Sequence, residues 1–579
     1  MRVANEHENE YGGALSRARP REREAVTTFL VAMALFVAAG MLTWFRMGEA
    51  MDLRSDEATY VIESVALQRT GMTQWNGAPF LVHPPLQFAA EGLYLRLRDI
   101  GRGPLFDRLV AAPYTVGEAL LPPDTPLDSD NLAHAIVASR YLVATFGALT
   151  CALLFLLGAR LLDNGAGILA AVLFMVDPYT LWLRHLNLLE PLATLLGLAA
   201  VLFYYRALST GDARRRRAQM LLAGVFLGLA LLGKELAVLY VPALVLHAVL
   251  FRRGRVGDLL VVLVAAGLVY SLFPLWALLS GQLEGWTSAR AWLFERLLGH
   301  IQDTGITRPG ASVANTLAAL VGDYWPWFVL LAIAAIVTGL FLYFYVRKGL
   351  RDGPAEFVSS FIIGCYGFFV VVWKVGGVLN EQFFYMAMPM VAMAVAYAAL
   401  AGGHLVERAL ATDTGTGQRR RAPGGFRRNA HFALLVVLAL LSGYNLGAWA
   451  LRYGLGRDDS YAQVDSYLAE TLPPGAGVLG RDVLDMYLLP KNVVYAYGYL
   501  SYTGRSVNPD DVLSQHTPYA ILNGQSLLQG YGGANPGYYD FVRANGAPLY
   551  VFRGWQWSTE VYAINLERAG QGKPVGDSG

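Results

Sequence analysis

The sequence predicts a polytopic α-helical membrane protein with a C-terminal extracytoplasmic α/β domain. Three observations predict it. The 579 residues are 55% hydrophobic and only 16% charged, with mean hydropathy +0.38, too apolar for a soluble chain of this size. Apolar runs of membrane-crossing length recur between residues 26 and 451. After residue 451 the pattern changes to short β-rich runs separated by polar turns.

Taken in order, the apolar runs predict about eleven spans, near 26–47, 135–159, 165–182, 189–205, 218–233, 236–251, 257–279, 325–346, 356–373, 383–402 and 431–451. Residues 26–45 are uncharged and too long for a cleaved leader, and no small-residue cleavage site follows them. Arginine placement tests the series. With the N-terminus inside, the inner segments hold Arg17 to Arg23, Arg214 to Arg217, Arg252 to Arg255, Arg347 to Arg351 and Arg419 to Arg428. All these basic clusters fall on one side, as the positive-inside rule requires, and the tail is then outside. The expected location is the cell membrane. The net charge of +2 gives no sign of a nucleic-acid partner. Cys151 and Cys365 both lie in apolar runs, which argues against a disulfide framework or a zinc cluster.

Two units follow, a membrane domain over 1–451 and an outer domain over 452–579. The membrane domain carries a first outer loop over 48–134, in which QFAAEGLYLRLRDI and FDRLVAAPYTVGEALL are too short or too charged to span and suit helices lying along the interface. A second outer loop over 280–324 has Trp286, Trp292 and Trp325 nearby as interfacial anchors. In the outer domain GVLGRD, NVVYAY, YAILNG, PLYVFRG and EVYAINL read as strands, and GYGGANPG at 530–537 reads as a loop.

On this topology the unusual polar residues gather on the outer side. Asp56 and Glu57 follow the first span, and His83 precedes two prolines in the same loop. Arg184, His185 and Glu190 surround the turn between spans three and four, Lys234 and Glu235 lie between spans five and six, and Lys374 and Glu381 between spans nine and ten. Each has an ordinary reading. The Asp-Glu pair could be solvated loop charge, Lys234 could snorkel to the interface, and Glu190 before Pro191 could simply open a helix. Acids and bases from distant segments on one face of a membrane are nonetheless candidates for a desolvated site.

An Asp-Glu pair after the first span, followed by Val-His-Pro-Pro-Leu at 82–86, resembles the lipid-dependent glycosyltransferases of the GT-C fold. The nearest families are the protein O-mannosyltransferases and the aminoarabinose transferases of lipid A. HLNLLEPLATLLGLAAVLFYY at 185–205 and LAGVFLGLALLGKELAVLYVPALVL at 222–246 look like two further segments of that superfamily. The likeness covers residues 25–250 and is only general to 451. Val82-His83 stands where aminoarabinose transferases often have Glu-Lys, which argues against that branch and its acceptor.

The resemblance implies transfer of a monosaccharide from a polyprenyl-phosphate donor, within the membrane's outer face, to an acceptor hydroxyl with inversion. Asp56 would be the general base and Glu57 would orient it or the acceptor. His83, Arg184, Lys234 and Lys374 would stabilise the leaving phosphate. Glu190 would orient the acceptor or hold a divalent metal. Protein, lipid and glycan acceptors all remain open, and no cofactor is fixed. A lipid or solute transporter is the alternative reading, disfavoured by the absence of a convincing internal repeat.

Overall fold

The computed structural model describes residues 25–49, 54–75, 78–102, 106, 129–251, 256–298, 313–375, 381–402, 424–456, 459–473, 476–479, 493–496, 518–523, 536–553 and 558–565. Among the described residues nine helices are long and apolar enough to cross a membrane, and a tenth crossing is a bent pair. The eleven expected spans each fall on a helical segment, and two are irregular. The third is broken into Asn164–Val176 and Pro178–Arg184, which meet at 67°. Pro178 has no N–H with which to continue the first helix, and Asp177 caps the second by accepting from the Thr180 amide at 3.0 Å. The sixth is the shorter helical run Glu235–Phe251, which opens as a 3-10 turn and carries Pro242.

Small residues set the helix spacing. A Cβ on Gly158 would strike the backbone of Gly167, and one on Gly364 would strike Ala243, so these helices touch backbone to backbone. The core around them is apolar and runs from Ala39 to Tyr453, joining the first span to the last. The spans that flank it leave Phe29, Leu268, Ile336 and Leu440 more than half exposed, as a lipid-facing surface should. The basic residues Arg214 to Arg217 open the helix Ala213–Gly233, and Arg347 and Lys348 end the helix Val313–Lys348. The other basic clusters lie outside the described residues or have side chains that do.

Two helices appear where the sequence reading placed loops. Ser55–Thr70 carries the Asp-Glu pair in its first turn, and Leu283–Leu297 fills the second outer loop. The expected interfacial helix QFAAEGLYLRLRDI forms over Leu86–Leu97, whereas FDRLVAAPYTVGEALL lies outside the described residues except for Phe106. Strands β1 (Gln74–Trp75) and β2 (Ala78–Pro79) pair as a short hairpin between Ser55–Thr70 and Leu86–Leu97.

In the tail the five expected strands form one sheet: β3 (Ala476–Leu479), β4 (Val493–Ala496), β5 (Tyr519–Asn523), β6 (Gly546–Arg553) and β7 (Ser558–Ile564). The order is β4-β3-β5-β7-β6, parallel across β4-β3-β5 and antiparallel beyond. The helix Ser460–Thr471 closes its core with Val464, Leu468 and Leu472 against Val478, Ile521 and Val561. GYGGANPG lies outside the described residues, apart from Pro536 and Gly537, which begin the helix Pro536–Asn545.

Candidate active site

The helix Ser55–Thr70 holds Asp56 and Glu57 in its first turn, where carboxylates complement the helix dipole. Their environments are opposite. Asp56 is half-buried, whereas Glu57 is fully buried. Glu57 accepts four hydrogen bonds. Its Oε1 takes Arg140 Nε at 2.7 Å and the Asn187 amide at 2.7 Å, and its Oε2 takes Arg140 Nη2 at 2.6 Å and the Arg54 amide at 3.0 Å. Three elements therefore meet on one carboxylate: the Asp56 helix, the second span and the 185–189 turn. Arg54, just before that helix, lies over the Trp182 ring at 4.8 Å.

A second charged pair closes the same end of the bundle. Lys234 ends the helix Ala213–Gly233 and pairs with Glu190, the first residue of the next span over. Both are buried, and Lys234 also lies over the Phe383 ring at 5.2 Å. The adjacent Glu235 pairs with Arg290 and accepts from the Tyr270 hydroxyl. Arg290 reaches on to the carbonyls of Leu81 and Val82, the latter at 2.8 Å, and so fixes the segment that carries His83.

His83 packs edge-on against Tyr60 at 5.8 Å and Phe80 at 6.1 Å. Burial, and then the charges of Lys234, Arg290 and Arg296, hold its imidazole well below the usual range. The sequence reading made His83 one of the positive groups; in this setting it is neutral near pH 7, beside three cations.

The remaining expected residues lie apart from this cluster or are committed elsewhere. Arg184 turns inward. Its guanidinium donates to the carbonyls of Thr180, at 3.2 Å, and Met175, faces Cys151 Sγ at 3.5 Å, and lies over Phe174 at 5.7 Å. A Cβ on Gly147 would collide with that side chain, so the glycine makes its room. Lys374 ends its span exposed and over the Trp373 ring at 4.7 Å. Of the Glu190 carboxylate, Oε1 takes Lys234 and Oε2 has no hydrogen-bond partner. Among the described residues no group of three or more His, Cys, Asp or Glu side chains could hold a metal ion. The side chain of Glu381 lies outside the described residues.

Three site residues escaped the sequence reading. Arg140 stands alone in the apolar run of the second span, and a lone charge in a span is itself a signal. Asn187 and Arg290 carried none, since both sit among ordinary turn and loop residues.

Comparisons with known proteins bear on the fold. Residues 118–289 match the family model described as dolichyl-phosphate-mannose-protein mannosyltransferase. No curated protein matches the sequence. Among solved structures, ArnT from Cupriavidus metallidurans bound to undecaprenyl phosphate is similar at 17% identity and TM-score 0.50, over 92% of this chain and 98% of that one. The oligosaccharyltransferase of Archaeoglobus fulgidus, in complex with zinc and sulfate, is similar at 13% identity and TM-score 0.51, over 92% of this chain and 73% of that one. The chain is thus a membrane protein of the GT-C fold, with a segment that matches the protein mannosyltransferase family.

Proposed function

We propose that this protein is a membrane glycosyltransferase. It moves a monosaccharide from a polyprenyl-phosphate donor to an acceptor hydroxyl at the outer face of the cell membrane, with inversion. The observation that carries the reading is the division of labour in the Asp-Glu pair. Glu57 is fully buried and fixed by four donors, while Asp56 beside it is only half-buried. A rigid helix start that carries a half-buried carboxylate suits a general base.

In this mechanism Asp56 accepts the proton of the acceptor hydroxyl. The acceptor oxygen forms the new bond to the anomeric carbon from the face opposite the phosphate. The bond from that carbon to the phosphate oxygen breaks, and polyprenyl phosphate leaves with the electron pair. Charge then develops on the leaving phosphate, and groups aimed at it lower the barrier. Lys234, Arg290 and Arg296 supply positive charge around His83, which adds a neutral hydrogen bond. Arg184 supports the broken span from within, and Lys374 meets the donor or headgroups at the rim. Glu190 sets the position of Lys234. The likeness to a fold that holds undecaprenyl phosphate in one solved case supports the donor class.

The test is transfer from a synthetic polyprenyl-phosphate sugar by the purified protein in detergent, with donor binding measured alongside. Wild type releases polyprenyl phosphate, and Asp56→Asn binds donor without turnover. Turnover by Asp56→Asn at the wild-type rate would remove Asp56 from the role. Failure of wild type to bind any polyprenyl-phosphate sugar would overturn the reading.

A further inference from the structure

Behind Glu57 lies a buried polar pocket that the chemistry above does not use. The Asn187 amide N–H donates to Glu57, and its side-chain Nδ2 donates to Glu91 Oε1 at 2.7 Å. One turn earlier on the Glu91 helix, Gln87 Nε2 donates to the Leu188 carbonyl at 2.9 Å. Two side chains of Leu86–Leu97 therefore grip the turn that leads to Glu190. Glu91, Gln87, Asn187 and Ser139 are all fully buried. Gly92 allows this closeness, since a Cβ there would strike the Ser64 carbonyl.

The pocket has more acceptors than donors. Glu91 Oε2, Asn187 Oδ1 and Gln87 Oε1 have no hydrogen-bond partner, and neither has the Ser139 hydroxyl. Ser64 spends its proton on the Tyr60 carbonyl at 2.7 Å. The Ser139 hydroxyl can answer one of these three oxygens, and a proton on Glu91 would supply a second donor. The groups that face Glu91 are Ser64 and Glu57 from the Asp56 helix, Ser139 from the second span and Asn187 from the turn. The second span's cation, Arg140, is already paired with Glu57. The helix Ala213–Gly233 also packs here, and residues 218–233 contain no ionisable side chain. Among the described residues no cation therefore answers Glu91, and the charge that acts on it is the Glu57 carboxylate.

We propose that Glu91 is a positioning residue that works as a neutral carboxylic acid, holding Asn187, and through it Glu57 and the Asp56 turn, in register. The inference rests on the proposed transferase reading only for its effect on turnover. Burial raises the Glu91 acid to about 7, and the neighbouring Ser139 hydroxyl, Asn187 amide and Ser64 hydroxyl keep it from going higher. Its ionised form is thus reachable in the physiological range, and it would sit unpaired beside Glu57.

The test uses full-length protein in detergent, with Glu91→Gln and Glu91→Ala. Glu91 holds its proton more tightly folded than unfolded, so its ionisation destabilises the fold as pH rises. Wild-type melting temperature should fall relative to Glu91→Gln between about pH 5 and pH 8. Turnover of Glu91→Gln should match wild type near pH 6 and exceed it above about pH 8, whereas Glu91→Ala should lose about tenfold at every pH. Parallel melting profiles, or a Glu91→Gln as impaired as Glu91→Ala, would overturn the proposal. If no donor is turned over by wild type, the transferase reading fails while the melting comparison still decides whether Glu91 works as a neutral acid.

Discussion

Replacing Arg140 by leucine would leave Glu57 charged and buried with two of its four donors gone. Both carboxylate oxygens lose a guanidinium contact, at 2.7 and 2.6 Å, and keep one backbone amide each. Removing one partner of a buried ion pair costs about 3–5 kcal/mol, most of it from the stranded charge. The two amides that remain reduce the loss, which places the expected value near the lower bound. The double variant Glu57→Leu/Arg140→Leu removes the stranded charge as well. It should therefore be more stable than Arg140→Leu, although two donors are then left without an acceptor. The assay is thermal unfolding in detergent of wild type, both single variants and the double, read as a double-mutant cycle. A coupling of at least about 2 kcal/mol is expected. Additive effects, or an Arg140→Leu protein as stable as wild type, would refute the reasoning, because the pair would then be a solvated contact.

Asp56→Asn should lower turnover by about 10²–10⁴-fold with little change in melting, whereas Glu57→Gln should lower both, as enzyme assays and thermal scans of the same preparations will show. Arg290→Met should weaken polyprenyl-phosphate binding by about one to two decades in equilibrium titrations and should also free the 81–83 segment to proteolysis. Because His83 is held below its usual range, the unfolded chain binds its proton more readily. Wild-type stability should then decline as pH falls below about 6.5, and His83→Gln should flatten that decline in melting scans. Gly415→Cys and Glu470→Cys should label differently with a membrane-impermeant thiol reagent in intact cells, only the second reacting; Cys151 and Cys365 are buried and give little background.

The membrane spans were legible because lipid imposes one simple rule on them, a run of apolar residues long enough to satisfy its own backbone. The tail strands were legible for a similar reason, since β-branched and aromatic runs alternate with turns. The helix Ser55–Thr70 was not. It is buried on most sides by other protein segments rather than lipid, so Glu57, Glu63 and Ser64 sit inside along with Val61 and Ile62. Neither hydropathy nor a clean helical period marks such a segment. The site was half legible. Asp56, Glu57, Glu190 and Lys234 stood out as charges near span ends and His83 as a histidine in the first outer loop, and the structure gathers Glu57, His83, Glu190 and Lys234 at one end of the bundle. Arg184 misled because its position at a span end says nothing of where a long side chain turns. It turns into the room left by Gly147.

The last span has a bearing on how the molecule is made. Trp449 Nε1 donates to the Leu42 carbonyl at 2.9 Å, and Arg46 Nη1 reaches the Gly454 carbonyl at 2.7 Å, so the final helix fastens onto the first. Tyr453 stacks flat on His185, with centroids 4.3 Å apart and planes 3° from parallel. A ribosome delivers residue 46 long before residue 454. Until the closing helix emerges, the end of the first span and the turn bearing His185 lack these neighbours. A chain halted before its last span therefore inserts without the contacts that hold Leu42, Arg46 and His185 in place.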